Sequence, residues 1–279
     1  MGVALVLAVA TAVLLGVSDF FAARAARTVP AITVTRTAVL TSLVLSPLLL
    51  LVVDSEFLAH DMVLGAVSGL FMVGGLALLY QGYAVARMGI VAPLSSVLIA
   101  LVPVVWDLLH GVRPGPLAAV GMAAGAVALV LTSYTSSDQG SAVMGAILGV
   151  TSGAMFGTAF TVMGEISDAA GLAPVGIQRV AGLVLLGGMA LARPEPLLAP
   201  AGIGRRYAIG AGVPAVMAIG ALQLAFQKGS SGPVAVASSQ FATVAVLLAV
   251  TFNRERMRWW QAVGVSLTAV AVALIAAGS

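Results

Sequence analysis

The sequence has no cysteine, only two histidines and few charged residues of either sign. The absence of cysteine excludes disulfide bonds, thiolate catalysis and cysteine-ligated metals, and two histidines are too few for a histidine metal cluster. Charged residues make up 8% of the chain, against roughly 25% in soluble domains. No soluble fold could bury the apolar surface that remains. We therefore expect a membrane protein that holds no metal and no cofactor.

Long apolar runs are what the sequence does contain, and 61% of its residues are hydrophobic. Lipid offers no hydrogen-bond partners, so a chain crosses it as helices or as a closed barrel. Barrel strands alternate apolar and polar residues, whereas the runs here are continuous. One crossing takes about twenty apolar residues. Ten runs qualify, approximately 3–22, 31–53, 62–84, 91–109, 116–134, 142–163, 173–192, 207–226, 233–252 and 259–277.

Short connections join these runs, and none resembles a soluble domain. Pro47, Pro103 and Pro214 fall inside predicted spans and are expected to bend them, because proline removes a helical hydrogen bond and its ring clashes with the preceding turn.

The chain also repeats itself. Residues 89–129, shifted by 143 positions onto 232–272, give twelve identities in 41 positions without a gap. Gly89 matches Gly232 in this alignment, and earlier in the chain Gly16 matches Gly157. Five helices per copy is an odd number, so consecutive copies must have opposite orientations. We therefore predict an all-α integral membrane protein of ten transmembrane helices, built as two inverted five-helix repeats over 1–137 and 138–279. In secondary transporters, such repeats enclose a substrate site near the midplane.

Basic residues indicate the orientation. The connections after even-numbered spans hold Arg113 and Lys228. Those after odd-numbered spans hold nine: Arg24, Arg27, Arg87, Arg193, Arg205, Arg206, Arg254, Arg256 and Arg258. The positive-inside rule then places the odd connections in the cytoplasm and both termini outside, in a plasma (inner) membrane. Because most charges serve as topology signals at helix ends, we expect the lipid bilayer and no nucleic acid as a partner.

Short motifs follow one another in a characteristic order. They are Leu15-Gly16-Val17-Ser18-Asp19-Phe20, then Arg36 inside the second span, Val91-Ala92-Pro93-Leu94-Ser95-Ser96, and Val234 to Ser239 followed by Arg254-Glu255-Arg256. In order and spacing the chain resembles the EamA-like branch of the drug/metabolite transporter superfamily over essentially its whole length. The resemblance implies two inverted five-helix repeats and the export of amino acids, metabolites or drugs.

The sequence departs from that family's pattern in two respects. The turn after the fourth span is Gly111-Val112-Arg113 and lacks the usual acid, which the second copy keeps as Glu255. The connection between the second and third spans is acidic, whereas many relatives carry basic residues there and keep both termini in the cytoplasm. The family habit and the charge count therefore give opposite orientations, and both alternatives stay open.

Ionisable groups inside spans are functional candidates, because each costs at least a few kcal/mol in lipid. Asp19 and Arg36 lie near the same membrane face and could pair, either as a structural ion pair or as a gate or proton-coupled site. Arg179 occupies the place of Arg36 in the second copy, where Phe160 replaces the acid. It could bind an anionic substrate group or extend to the interface. Asp19 and Glu255 are the candidates for proton coupling.

Other polar and aromatic residues could line a cavity at the midplane, since such sites use a few polar groups for orientation. The alternative for each is a hydrogen bond between helices, and Trp106 could instead anchor the chain at the interface. Asp107 and His110, one turn apart, could share a proton or simply face a connection. The candidates are Tyr80, Gln81, Tyr83, Trp106, Asp107, Gln178, Gln223, Gln227, Ser238, Ser239 and Gln240.

Small residues recur at helical spacing. Gly145, Gly149, Gly153 and Gly157 form a ladder in the sixth span, and Gly65/Gly69 and Gly121/Gly125 repeat its period. Glycine lets helices approach closely, and in lipid such contacts drive association. Packing inside one chain is the first interpretation, and a homodimer is the alternative.

The leading functional hypothesis is a secondary transporter, and not an enzyme, that moves a small-molecule substrate by alternating access. The sequence contains no Walker motif or glycine-rich phosphate loop that would indicate ATP coupling. An intramembrane enzyme is the second hypothesis; Ser18 offers a hydroxyl, but a nucleophile needs a base within hydrogen-bond reach. The third hypothesis is a non-transporting membrane scaffold.

Overall fold

The computed structural model describes residues 2–85, 88–133, 142–191, 195–253 and 258–278. These residues contain helices and no strand, so the all-helical prediction is confirmed for them. Eleven α-helices follow in order: α1 (Gly2–Ala26), α2 (Ala31–Leu45), α3 (Ala59–Val85), α4 (Met88–Leu109), α5 (Pro116–Ser133), α6 (Ala142–Gly164), α7 (Ala173–Leu191), α8 (Ile203–Lys228), α9 (Ser231–Ser238), α10 (Phe241–Asn253) and α11 (Trp259–Ala277).

Six helical segments within the described residues are long and apolar enough to cross a membrane. They are Gly2–Ala26, Ala31–Leu51, Ala59–Leu79, Val143–Gly164, Ala173–Ala190 and Ile203–Lys228. Shorter apolar helices cover Ser95–Leu109, Pro116–Leu131 and Trp259–Ile275. The length and apolar character of these segments are those of membrane-crossing helices, while the predicted number of ten crossings stays a prediction.

Two predicted spans differ from a simple helix. After α2, the chain tightens into a 3₁₀ turn over Ser46–Leu51 with Pro47 in its first turn, so the change of geometry predicted at Pro47 is present. The ninth predicted span is divided into α9 and α10 at Ser239 and Gln240. Both side chains donate to the carbonyl of Val236, at 2.9 and 3.3 Å. Polar side chains that compete for backbone carbonyls in this way weaken a helix.

Pro103 and Pro214 do not interrupt their helices. α8 runs through Pro214, and hydroxyl groups of neighbouring helices bind backbone carbonyls of the preceding turn. Ser18 donates to Ala211 at 2.9 Å, and Ser42 donates to Gly212 at 2.8 Å. Such bonds support a helix where proline disturbs its own ladder.

Glycines bring the helix backbones into direct contact. A Cβ atom at Gly69 of α3 would overlap the carbonyl oxygen of Gln178 in α7, and one at Gly157 of α6 would lie 2.7 Å from Cβ of Val102 in α4. All four glycines of the ladder in α6 are buried. The helices therefore pack inside one chain at these glycines, as the first interpretation of the ladder predicts, and the homodimer stays untested.

Equivalent contacts recur at positions related by the internal repeat. α1 packs on α8 and α6 packs on α3. Thr11 of α1 donates to the carbonyl of Ala218 at 3.3 Å, and Ser152 of α6 donates to that of Gly75 at 2.8 Å. Thr11 and Ser152 each lie five positions before the matched glycines Gly16 and Gly157, and Gly75 and Ala218 differ by the repeat shift of 143.

The connections after α2, α4, α6 and α8 meet at one end of the bundle, which we call the acidic face. The Asp61 carboxylate accepts hydrogen bonds from the backbone N–H and hydroxyl of Ser167, at 3.1 and 2.6 Å. The hydroxyl of Ser55 accepts from Leu172 at 3.0 Å. Lys228 and Asp168 form an exposed ion pair of 3.1 Å. These bonds hold the connections of this face together.

The opposite end, which we call the basic face, carries the arginines between α1 and α2 and at the start of α8. The guanidinium of Arg24 lies 4.6 Å from the ring centre of Phe20 and 5.8 Å from that of Tyr207, a cation–π arrangement that joins α1 to α8. Arg27, Arg205 and Arg206 are exposed there.

The contact at Gly69 gives a first prediction. In Gly69→Ala the methyl group overlaps a backbone carbonyl of α7, so α3 and α7 must separate, and overpacking costs about 1–3 kcal/mol. Thermal unfolding in detergent should show the loss. Gly188→Ala is the matched control, because it changes a helical glycine of α7 with no atom within 4 Å of the added carbon. Equal stability of the two variants would contradict this account of the packing.

The acidic face gives a second prediction. Asp61 is 2% exposed, and Asp61→Asn places an amide where two donors of Ser167 require a charged acceptor. Hydrogen bonds to charged groups contribute about 1.5–3 kcal/mol, so unfolding should shift to lower temperature. The exposed Asp54→Asn in the preceding connection serves as control. If both variants unfold together, the Asp61–Ser167 contact does not stabilise this face.

Candidate functional site

A cavity of about 130 Å³ lies among the helices, with lining residues from α1, α2, α3, α4, α6, α7, α8 and α10. Most of its wall is apolar and aromatic, including Leu76, Ile99, Phe156, Phe160 and Phe241. Its charged lining residues are Asp19 and Arg179. Ligand pockets usually measure about 300–1,000 Å³, so this conformation encloses a narrow space.

Asp19 and Arg179 reach the cavity from opposite ends of the bundle. Asp19 lies seven residues before the last residue of α1, Ala26, and thus toward the basic face. Arg179 lies six residues after the first residue of α7, Ala173, and thus toward the acidic face. At 1.5 Å per residue, each is roughly 10 Å from its end of the bundle.

Arg179 is held by a chain of buried polar contacts. Its Nη2 donates to Oε1 of Gln178 at 3.1 Å and lies 3.9 Å from Sδ of Met72. Gln178 in turn donates to the hydroxyl of Ser68 in α3 at 3.0 Å. Nε of Arg179 has no hydrogen-bond partner among the described residues. The Nε donor of the guanidinium is therefore available to a ligand, at a membrane depth where unpaired charge is costly.

Asp19 has fewer contacts. Among the described residues, no hydrogen bond ends on its carboxylate, and no ion pair joins it to Arg36 or Arg179. The cavity therefore contains one acid and one base that do not neutralise each other. Opposite charges at the two ends of a mostly apolar cavity suit a solute with polar groups on an apolar body.

The predicted pair of Asp19 and Arg36 is wrong. Nη1 of Arg36 donates to the carbonyl of Pro196 at 3.4 Å, on the connection between α7 and α8, and Nε and Nη2 of Arg36 have no partner among the described residues. The side chain is buried but is not among the residues that line the cavity. Both residues lie toward the same membrane face, as expected. Their side chains do not meet, because the direction of a side chain depends on its position around the helix: Asp19 points to the cavity and Arg36 to Pro196.

Several other candidates form hydrogen bonds between helices, the alternative that their residue types left open. Gln223 donates to Met163 of α6 at 3.3 Å, and Gln240 donates to Gly125 of α5 at 3.3 Å. The hydroxyl of Ser239, which follows α9 directly, donates to the carbonyl of Val236 in that helix. Ser238 is fully buried, and its hydroxyl has no partner among the described residues.

Trp106, Gln227 and Asp107 lie at the acidic face instead. Trp106 donates to Glu165 at 2.7 Å, Gln227 donates to the carbonyls of Ser167 and Gly171, and Asp107 accepts from the backbone N–H of Gly232 at 2.6 Å.

Among the described contacts, no side-chain hydrogen bond joins the ring of His110 to the carboxylate of Asp107. Its Nδ1 lies 2.9 Å from the carbonyl oxygen of Trp106, and its ring centre is 4.1 Å from that of Trp106. These contacts place the side chain against its own helix at the acidic face.

Three predicted candidates lie outside the described residues. They are the side chains of Tyr80 and Tyr83, and Glu255 as a whole. Gln81 is described and exposed.

Sequence reasoning missed the apolar and hydroxyl lining. Phe156, Phe160 and Met72 form part of the wall, and Ser18 and Ser42 contribute hydroxyls that bind α8. Only Pro214 offered a signal for the hydroxyls, because a proline inside a span requires polar neighbours.

Within the described ranges, no cluster of three or more histidine or acidic side chains could hold a metal ion.

A second cavity, of about 210 Å³, opens at the acidic face beside Asp107, Arg113 and the end of α11. It is larger, but it lies at the end of the bundle. The central cavity is the stronger candidate site, because its charged residues lie inside membrane-crossing helices.

Comparison with known proteins gives a family for part of the chain. Residues 143–277 match the model of the EamA-like transporter family. No curated protein matches the sequence. A solved structure described as "Crystal structure of protein" aligns with 97% of this chain and 95% of its own, with a TM-score of 0.80 and 16% identity. At that identity the match shows a shared fold alone. Residues 143–277 therefore belong to the EamA-like transporter family of the drug/metabolite transporter superfamily, and the chain is a multi-pass membrane protein.

Proposed function

We propose that the chain is a secondary transporter, not an enzyme, that carries small organic metabolites through the central cavity by alternating access. The observation that carries this proposal is the pair of oppositely charged residues, Asp19 and Arg179, lining one cavity among eight helices. Charges at membrane depth mark solute and ion pathways, because they are too costly to keep without a role.

The transporter consists of two inverted five-helix repeats, residues 1–137 and 138–279, with α9 and α10 together forming the ninth crossing. Equivalent contacts support this arrangement. Gly16 of α1 meets Phe241 and Val244 of α10, and Gly157 of α6 meets Leu98 and Val102 of α4. The cavity between the repeats is where inverted-repeat transporters bind their substrates.

Arg179 binds an anionic group of the solute, because its Nε has no partner in the described part of the chain and its position is fixed by Gln178. Asp19 either binds a cationic group or carries the coupling proton, and Glu255 stays the second coupling candidate. The direction is export across the plasma (inner) membrane, as the family resemblance implies.

The connections at the acidic face lie outside the cell, and those at the basic face lie in the cytoplasm, as the positive-inside rule suggests. In this orientation Asp61 and Ser167 close the outer end of the pathway, and Asp19 lies on the cytoplasmic side of the cavity.

Flux through proteoliposomes tests the function. Wild type should move one class of labelled organic acids. Arg179→Gln should slow this movement at least tenfold, since a charge-assisted hydrogen bond contributes about 1.5–3 kcal/mol. Arg27→Gln, at an exposed arginine outside the cavity, is the control and should transport normally. Absence of any solute movement by wild type would refute the transporter, and normal movement by Arg179→Gln would refute the assigned role.

An imposed pH gradient in the same vesicles separates proton coupling from solute binding. If Asp19 carries the proton, Asp19→Asn transports without response to the gradient. If Asp19 binds the solute, the variant loses transport at every pH.

The orientation can be tested because the chain has no cysteine. Glu56→Cys and Arg27→Cys place single thiols at exposed positions on the acidic and basic faces. In intact cells, a membrane-impermeant thiol reagent should label Glu56→Cys, and Arg27→Cys should react only after the cells are opened. The reverse pattern would place both termini in the cytoplasm, as the family habit implies.

A further inference from the structure

Arg36 is a buried charge that the proposed site does not use. Its side chain is 3% exposed. Nη1 makes one long hydrogen bond, 3.4 Å to the carbonyl of Pro196, and Nε and Nη2 have no partner among the described residues. Nε and Nη2 form one edge of the guanidinium, and such an edge can bind both oxygens of a carboxylate or phosphate at once.

Residues 195–199, which we call the strap, cover this arginine. The strap follows one stripe of α2, because the hydroxyl of Thr33 donates to Pro196 at 3.0 Å, and the hydroxyl of Thr37 accepts from the backbone N–H of Ala199 at 2.9 Å. Thr33, Arg36 and Thr37 are spaced so that they share a helix face. Three hydrogen bonds thus hold the strap over the first two turns of α2.

Arg36 does not line the cavity, but it lies on the same turns of α2 as residues that do. Val34, Thr35, Ala38 and Val39, on the same turns of α2, are lining residues. At about 100° per residue, Val39 is the lining residue nearest to Arg36 around α2, about 60° away. Release of the strap together with a rotation of the helix would therefore carry the long side chain of Arg36 toward the cavity.

Arg36 and Arg179 occupy equivalent places in the two halves. Arg36 is five residues after the first residue of α2, and Arg179 is six residues after the first residue of α7. α2 begins at the basic face and α7 at the acidic face, so the two arginines approach the midplane from opposite sides. In this conformation Arg179 lines the cavity and Arg36 does not.

We propose that Arg36 is a second anion-binding residue of the transport cycle, covered by the strap in this conformation and delivered to the cavity when the strap is released. The inference rests on the proposed transport function. Rocking of inverted repeats exchanges their roles, so Arg36 takes in the opposite conformation the part that Arg179 has here. The solute it binds carries a carboxylate or phosphate group.

Glu195 provides the competing explanation. It precedes Pro196, and its Oε2 is buried without a partner among the described residues. An ion pair between Arg36 and Glu195 in the opposite conformation would also use the free edge of the guanidinium. The two explanations differ in what Glu195→Gln does, because an anion site needs no acid at position 195.

Flux of labelled carboxylates, phosphorylated metabolites and uncharged sugars in proteoliposomes tests the inference. Arg36→Gln should lower the flux of the anionic class at least tenfold. Arg36→Lys should recover part of it, and Glu195→Gln should match wild type. Equal losses in Glu195→Gln and Arg36→Gln would show an internal ion pair instead. If wild type moves no solute, the proposed function fails; if it moves an anion and Arg36→Gln moves it equally fast, only this inference fails.

A reversible cross-link removes the concern that Arg36→Gln misfolds. Thr37→Cys with Ala199→Cys introduces the only thiols of the chain at neighbouring positions. Oxidation should fasten the strap and reduce anion flux at least tenfold, and reduction of the same sample should restore it, while each single variant is insensitive. The role of the strap would be overturned if the cross-linked protein transported as fast as the same protein after chemical reduction, or if the two thiols could not be oxidised to a disulfide.

Discussion

Direct contact between helix backbones is the constraint on which the rest of the structure depends. Lipid tails are as apolar as the helices, so the hydrophobic effect does not press the helices together within the membrane. Close packing must supply the association energy, and glycine permits it. At Gly69, Gly153 and Gly157 a single added carbon would strike a neighbouring helix. Where two such helices touch, hydroxyls such as those of Thr11 and Ser152 reach the backbone of the partner.

The central cavity exists because the close contacts lie elsewhere on the same helices. α1 and α6 are held by their glycines against α10 and α4, and this leaves larger residues, Phe156, Phe160 and Phe241, to frame a space between them. Within the described ranges Asp19 and Arg179 form no ion pair there, and each is fixed to a firmly packed helix. A solute with groups that pair with these two side chains would be stabilised by interactions that the charges lack without it.

The two ends of the bundle are closed by different means. At the acidic face, side chains of one connection bind backbone groups of the next, with Asp61 and Ser55 as acceptors. At the basic face, the strap binds α2 through the hydroxyls of Thr33 and Thr37. Alternating access requires each closure to open in turn. The proposed exchange of Arg36 and Arg179 would connect these events to the charge of the solute.

Local pattern predicted a large part of this protein. Continuous apolar runs identified the helices, because a lipid-exposed backbone must bond to itself. In-span charges drew attention to Asp19 and Arg179, both of which line the cavity. The division of the ninth span at Ser239 was not predicted. It depends on which backbone carbonyls accept hydrogen bonds from the side chains of Ser239 and Gln240, and this is not visible in the sequence. Local pattern also did not predict the hydrogen-bond partners of individual side chains. Asp19 and Arg36, for example, do not pair with each other.

The sequence by itself determined that this is a helical membrane protein, because composition and run length decide how a chain can satisfy its backbone in lipid. It also determined where small residues permit contact and which ionisable groups lie at membrane depth. Only the tertiary structure decided that Arg179 faces the cavity while Arg36 lies beneath Pro196. Helix rotation and the path of a connection set the direction of a side chain, and both follow from packing among helices that are far apart in the chain.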